Sequence, residues 1–276
     1  MLPDCSLFDG DAVVDALIRS TRFRAKQVKR IILVRKANAV SGNLLVLSGL
    51  VIFIAAFVQG ATGLGFALIA APVIGLINPQ LLPVLILVLM IPLNLFVAWR
   101  ERRAVDVKGA AWIMAGRVAG TAGGLWLLLA IPLNSLNLLV GVSTILAASA
   151  SLIVSPFKPG SRALIAVGAI TGVTETATGI GGPPLALAYQ HRPAPVLRST
   201  IATCFLLGEI LSLVVLAASG QIDGEQIRIA LLLLPVLGLG VLLSSLVHHR
   251  IDGPLVRTLV LAFALLSGIV VTIRGW

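Results

Sequence analysis

The 276 residues are 58% hydrophobic and only 12% charged, with a mean hydropathy of +1.05, which lies far outside soluble globular composition. That excludes a soluble enzyme or binding module and predicts an all-α polytopic membrane protein. The net charge of +10 does not call for a nucleic-acid partner, because the basic residues fall in short loops and an N-terminal tail, where the positive-inside effect accounts for them.

Residues 1–43 carry Asp4, Asp9, Asp11 and Asp15, then Arg19, Arg22, Arg24, Lys26, Lys29, Arg30, Arg35 and Lys36. Their apolar run at 31–34 is too short for a signal-peptide core. The segment is expected to be a cytosolic tail without a catalytic role; its charge pattern also suits a basic amphipathic helix on an anionic leaflet. From residue 44 the chain becomes a series of apolar runs near the ~20 residues that cross a bilayer. They cover 44–58 and 66–77 around a glycine-rich break, then 81–99, 110–129 and 136–154. After a midpoint at 155–162 the plan repeats, with 163–172 and 185–189 around a second break, then 199–218, 229–247 and 255–273. Two homologous halves are expected, at 44–155 and 163–276.

The breaks are the repeated element. Gln59-Gly60-Ala61-Thr62-Gly63-Leu64-Gly65 returns as Glu175-Thr176-Ala177-Thr178-Gly179-Ile180-Gly181-Gly182. Glycine lowers helix stability, and the backbone groups it frees cannot stay unpaired against lipid, so such a stretch faces protein or a water-filled cavity. Paired interruptions in corresponding places of two halves point to a transporter's binding site. Helices restarting after each break would aim N–H groups at a cavity and suit an anion. The plainer alternative is that small residues let helices pack closely.

Basic loops at Arg100–Lys108, Lys158/Arg162, Arg192/Arg198 and His248–Arg250 alternate with turns that are poor in basic residues. Placing all basic loops in the cytosol makes the second broken segment re-entrant and the halves inverted, a common transporter plan. The same logic puts the basic N-terminus outside. A first segment that crosses fully returns the tail to the cytosol at the cost of the repeat symmetry, and both topologies stay open at this point.

Three charged residues stand inside apolar runs. Arg117 lies within 110–129, and an intramembrane arginine faces a cavity or a partner; it suits a charge-assisted contact to an anionic substrate or a structural ion pair. Glu209 lies within 199–218, opposite Asn94 when the halves are aligned with one residue of slippage, and Glu175 stands opposite Gln59. An embedded carboxyl can carry a proton, which makes Glu209 and Glu175 proton-coupling candidates, with pairing to Arg117 or Arg198 as the structural alternative. Arg198 at the mouth of a span is a substrate-contact candidate or a snorkelling interface residue. Substrate-binding candidates are thus Gln59, Gly60, Thr62, Gly63, Gly65, Glu175, Thr178, Gly179, Gly181, Gly182, Arg117 and Arg198. Cys5 and Cys204 form no CxxC pair, and Cys204 reads as a small packing residue. His191, His248 and His249 lack metal-ligand spacing, so no metal or cofactor is expected. Gly63-Leu64-Gly65 sits in a membrane run and is no dinucleotide fingerprint. No catalytic constellation is present, so the chain is not read as an enzyme.

At these residues the chain resembles the TauE/SafE sulfite exporter family of DUF81-type membrane permeases. The resemblance rests on Phe57-Val58-Gln59-Gly60-Ala61-Thr62-Gly63-Leu64-Gly65-Phe66 and Thr178-Gly179-Ile180-Gly181-Gly182-Pro183-Pro184, with Pro72, Arg198-Ser199-Thr200 and Ser219-Gly220 in support, and it covers roughly 45–276. It implies a multi-pass protein of a bacterial-type inner membrane that exports sulfite, organosulfonates or related sulfur oxyanions. The expected partners are a small anion and the bilayer, with energy from the membrane potential or from a coupled proton gradient. A passive anion channel and a non-transporting membrane assembly subunit are the alternative functions.

Overall fold

The computed structural model describes residues 42–62, 65–132, 135–153, 158–247 and 253–275. The tail as far as residue 41, the side chain of Thr62, Gly63, His248 and His249, all singled out above, lie outside the described residues. Residues 47–276 form one compact unit. The chain is all-helical, with no strand among the described residues.

Among the described residues ten α-helices follow one another: α1 (Gly42–Thr62), α2 (Phe66–Ile77), α3 (Val84–Arg100), α4 (Val107–Ala130), α5 (Leu136–Ile153), α6 (Ser161–Thr178), α7 (Gly182–Tyr189), α8 (Ala194–Ala218), α9 (Gly224–Val247) and α10 (Gly253–Arg274). Local chemistry sets several of their ends. Asp106 caps α4 by accepting the Gly109 N–H at 2.9 Å, as an N-terminal carboxylate does. Pro183 and Pro195 sit in the first turns of α7 and α8, where a missing N–H costs nothing. Gly179 ends α6 at φ +80° and Gly65 precedes α2 at φ +116°, a left-handed region that favours glycine. Each glycine stretch therefore separates one helix from the next, as expected.

Within α4, α5, α8 and α9, the segments Val107–Ala130, Leu136–Ile153, Ala194–Ala218 and Gly224–Ser244 are long and apolar enough to cross a bilayer. Their outer faces carry exposed Trp126, Leu146, Val214 and Leu242, which suits lipid rather than water. At the end of α3, Arg100 and Arg102 stack over Phe96 and Trp99, 5.3 and 4.9 Å from the ring centroids, an arrangement fit for a membrane interface.

Small residues decide the packing. Gly116, Gly120 and Gly124, one turn apart on α4, face Ile165, Ala169 and Val173 on α6, and Gly168 and Gly172 answer from the other side. A methyl at Gly120 would strike the Ala169 carbonyl. The backbones approach closely because no side chain stands between them, and α4 and α6 run in the same direction. α1 and α9 also run in the same direction, with Gly49 by Leu233, Gly240 by Phe53 and Gly60 by Ser244. α3 and α8 are antiparallel: Val84 and Leu87 share a core cluster with Leu216, Asn94 meets Glu209 and Glu101 meets Arg198. α5 and α10 are antiparallel as well, with Gly141 against Gly268 and Leu138 by Gly275.

These pairings define two ends of the bundle. At one, the connection after α3 is tied to the connection after α7, since Tyr189 donates to Asp106 Oδ2 at 3.1 Å and Arg198 forks onto Glu101 at 2.9–3.2 Å. At the other, Gln226 Nε2 donates to the Gln80 carbonyl at 2.6 Å.

Candidate functional site

Arg117 is the largest fully buried side chain among the described residues. It lies ten residues into α4, about 15 Å along a helix of roughly 36 Å. The close approach of α4 to α6 brings it onto Glu175: Arg117 Nη2 donates to Glu175 Oε1, and both side chains are wholly buried. From α8, Phe205 lies under the guanidinium at 5.8 Å. Gly208 gives the guanidinium its room, because any Cβ there would overlap it. Glu209, the next residue, is also wholly buried and accepts from Asn94 Nδ2 of α3 at 2.6 Å. It lies within electrostatic reach of both Glu175 and Arg117.

The cluster is only partly satisfied. Arg117 Nε and Nη1, Glu175 Oε2, Glu209 Oε2, Thr121 Oγ1 and Thr171 Oγ1 are buried without a hydrogen-bond partner. Buried polar groups are ordinarily paired, and a chain seeking stability alone would place apolar side chains here. Thr121 is one turn beyond Arg117 on α4, and Thr171 is one turn before Glu175 on α6. The patch is thus a local concentration of unused donors and acceptors around one guanidinium.

The second glycine stretch forms one wall of this cluster. Gly181 lies against Glu175 Oε2, so that a side chain there would overlap the carboxylate, and Gly182 opens α7 beside Phe205. Gly179 lies against Ile86 of α3. The Thr178 hydroxyl is used within the turn, donating to the Thr174 carbonyl at 2.7 Å and accepting the Ile180 N–H at 3.2 Å.

The first stretch is built differently. Gln59 Oε1 accepts the Phe66 N–H at 3.0 Å and so caps α2, where its counterpart Glu175 turns to Arg117 instead. Gly60 packs against Ser244 of α9, and Gly65 lies near Val260 of α10. Arg198 is about one-third exposed and paired with Glu101 at the end of the bundle, away from Arg117. The structure therefore gathers Arg117, Glu175, Glu209, Gly181 and Gly182, and it places Gln59, Gly60, Gly65, Thr178 and Arg198 in other contacts.

Sequence reasoning did not single out Thr121, Thr171, Phe205 or Gly208. Gly208 carried a usable signal, being a glycine immediately before an embedded glutamate in an apolar span.

Comparison with family models matches residues 48–271 to the family described as Sulfite exporter TauE/SafE. No curated protein and no solved structure matches the chain.

Proposed function

From the premise that this chain belongs to the sulfite exporter TauE/SafE family, and so is an integral membrane protein, we propose that it is a secondary transporter exporting a small sulfur oxyanion, sulfite or an organosulfonate, across a bacterial inner membrane. The observation that carries this reading is Arg117, buried mid-helix with one Nη on Glu175 and its Nε and Nη1 without a partner. The free Nε–H and Nη1–H are charge-assisted donors for the oxygens of a sulfite or sulfonate group. Phe205 below and glycine backbone beside it exclude water, which strengthens each such contact.

The inverted-repeat and re-entrant reading belongs to the same proposal. Its support is the exchange of packing partners: α6 lies on α4 as α1 lies on α9, while α3 with α8 and α5 with α10 pair antiparallel across the halves. α6 starts level with the start of α4, and α7 returns Tyr189 to Asp106 at that same end. The hairpin of α6 and α7 thus opens toward the basic loops. Export is favoured because an inside-negative potential drives negative charge outward by about 2.3 kcal/mol per charge per 100 mV.

The test is uptake of sulfur-labelled sulfite into proteoliposomes, with sulfoacetate and sulfate as competitors. Wild type is expected to give saturable flux. The charge-balanced double variant Arg117→Gln/Glu175→Gln is expected to fold and to lose about 10- to 100-fold or more in flux, the worth of a charge-assisted hydrogen bond. Flux no greater than in empty vesicles for all three anions would sink the sulfur-oxyanion reading.

A further inference from the structure

The buried cluster does not balance its charges. It holds one guanidinium, Arg117, and two carboxyls, Glu175 and Glu209, all with no exposure. An uncompensated charge in such a place is strongly destabilising, so a neutral cluster has one carboxylate and one carboxylic acid. Glu175 is bonded to Arg117 and is the carboxylate. Glu209 Oε1 is held by a neutral amide, and its Oε2 has no partner; it keeps the proton.

We infer that Glu175 is an internal counter-anion, which a substrate anion displaces from Arg117 and which leaves that pair as the neutral acid, so that each transported anion is accompanied by one proton. The inference rests on Arg117 being the substrate's contact, as proposed above. Before binding, the cluster sums to zero: Arg117 positive, Glu175 negative, Glu209 neutral. Once the anion takes the guanidinium, a negative Glu175 would be stranded in the dry interior, so one proton from solvent forms an O–H bond on its carboxylate. Thr171 Oγ1, one turn away on α6 and without a partner, accepts that new O–H. On release the O–H bond breaks, the proton leaves with the anion, and Glu175 returns to Arg117.

The groups facing Glu175 from the neighbouring helices permit this exchange. α4 contributes Arg117, α8 contributes Glu209 and Cys204, and α3 contributes the neutral Asn94 amide. α7 has Tyr189 as its single titratable residue, held by Asp106 at the bundle end, and α5 has none. No second cation among these residues could neutralise a displaced Glu175 in place of a proton.

The consequence concerns charge selectivity. A monoanion crosses with no net charge, whereas a dianion crosses carrying one negative charge, which the membrane potential still draws outward. The membrane potential therefore acts on the movement of a dianion and not on that of a monoanion.

The experiment uses full-length protein in proteoliposomes, with labelled methanesulfonate as the singly charged probe and labelled sulfoacetate as the doubly charged one. Lumenal pH and current are recorded together with flux. Wild type is expected to move one proton per anion with either probe, no current with methanesulfonate and one charge per sulfoacetate. In Glu175→Gln, protons per anion are expected to fall at least tenfold, and methanesulfonate becomes electrogenic. Saturable wild-type flux without protons, or unchanged coupling in a folded Glu175→Gln, overturns the counter-anion role and leaves transport standing. Absence of saturable flux of both probes overturns this inference, and with sulfite flux absent as well it overturns the transport reading too. The wild-type stoichiometry decides the question if the variant fails to fold.

Discussion

Two residues on facing helices, Asn94 of α3 and Glu209 of α8, are wholly or nearly buried and bond to each other. With Glu209 neutral, its replacement by glutamine exchanges one hydrogen-bonding group for another. Glu209→Gln is expected to change thermal stability in detergent by less than about 1 kcal/mol, whereas Glu209→Ala, which leaves the Asn94 amide unpaired, is expected to cost roughly 1–3 kcal/mol. Arg117→Ala strands Glu175 and is expected to cost about 3–5 kcal/mol, and Arg117→Gln/Glu175→Gln is expected to recover most of that loss in the same melt. A double variant no more stable than Arg117→Ala would show that the pair contributes by packing rather than by charge. Thr178 behaves otherwise. Its hydroxyl fastens its own turn at both ends, so Thr178→Val is expected to lower stability by about 1 kcal/mol, with flux following the folded fraction.

At the scale of the element, the contact of α4 with α6 positions the cluster, because it sets Arg117 beside Glu175. Its glycines are not equivalent. At Gly120 an added methyl meets the rigid backbone of Ala169, whereas at Gly123 it meets only the side chain of Val173 at 3.3 Å. Gly120→Ala is expected to destabilise by about 1–3 kcal/mol, as overpacking does, and Gly123→Ala by clearly less. Equal melting temperatures for the two would exclude backbone contact as the determinant. The spacing of Gly116, Gly120 and Gly124 was present in the sequence, but a stripe of small residues does not name its partner. The break at Gly179 was legible because a left-handed glycine is a local feature; the contact of Gly181 with the Glu175 carboxylate was not, because that depends on the chain folding back from α6 into α7.

At the scale of the molecule, the ties between Glu101 and Arg198 and between Asp106 and Tyr189 bring two basic connections to one end, and Gln80 with Gln226 marks the other. The topology proposed above, by the positive-inside rule, puts the first end in the cytosol. In a background with Cys5 and Cys204 replaced by serine, Arg103→Cys is expected to react with an impermeant maleimide only from the cytosolic side, and Gln221→Cys only from the opposite side. Labelling of both from one side would overturn the assignment.

The sequence by itself determined the membrane class, the helical runs, the two glycine breaks and the presence of charged residues inside apolar spans. Each of these follows from composition or from conformational preferences that act over a few residues. Only the tertiary structure decided that Arg117 pairs with Glu175 rather than Arg198, that Gln59 caps α2 while its counterpart Glu175 does not cap α7, and that Gly208 makes room for the guanidinium. Those outcomes depend on which helices lie side by side, and in a chain of interchangeable apolar helices that choice is made by close packing between residues far apart in sequence.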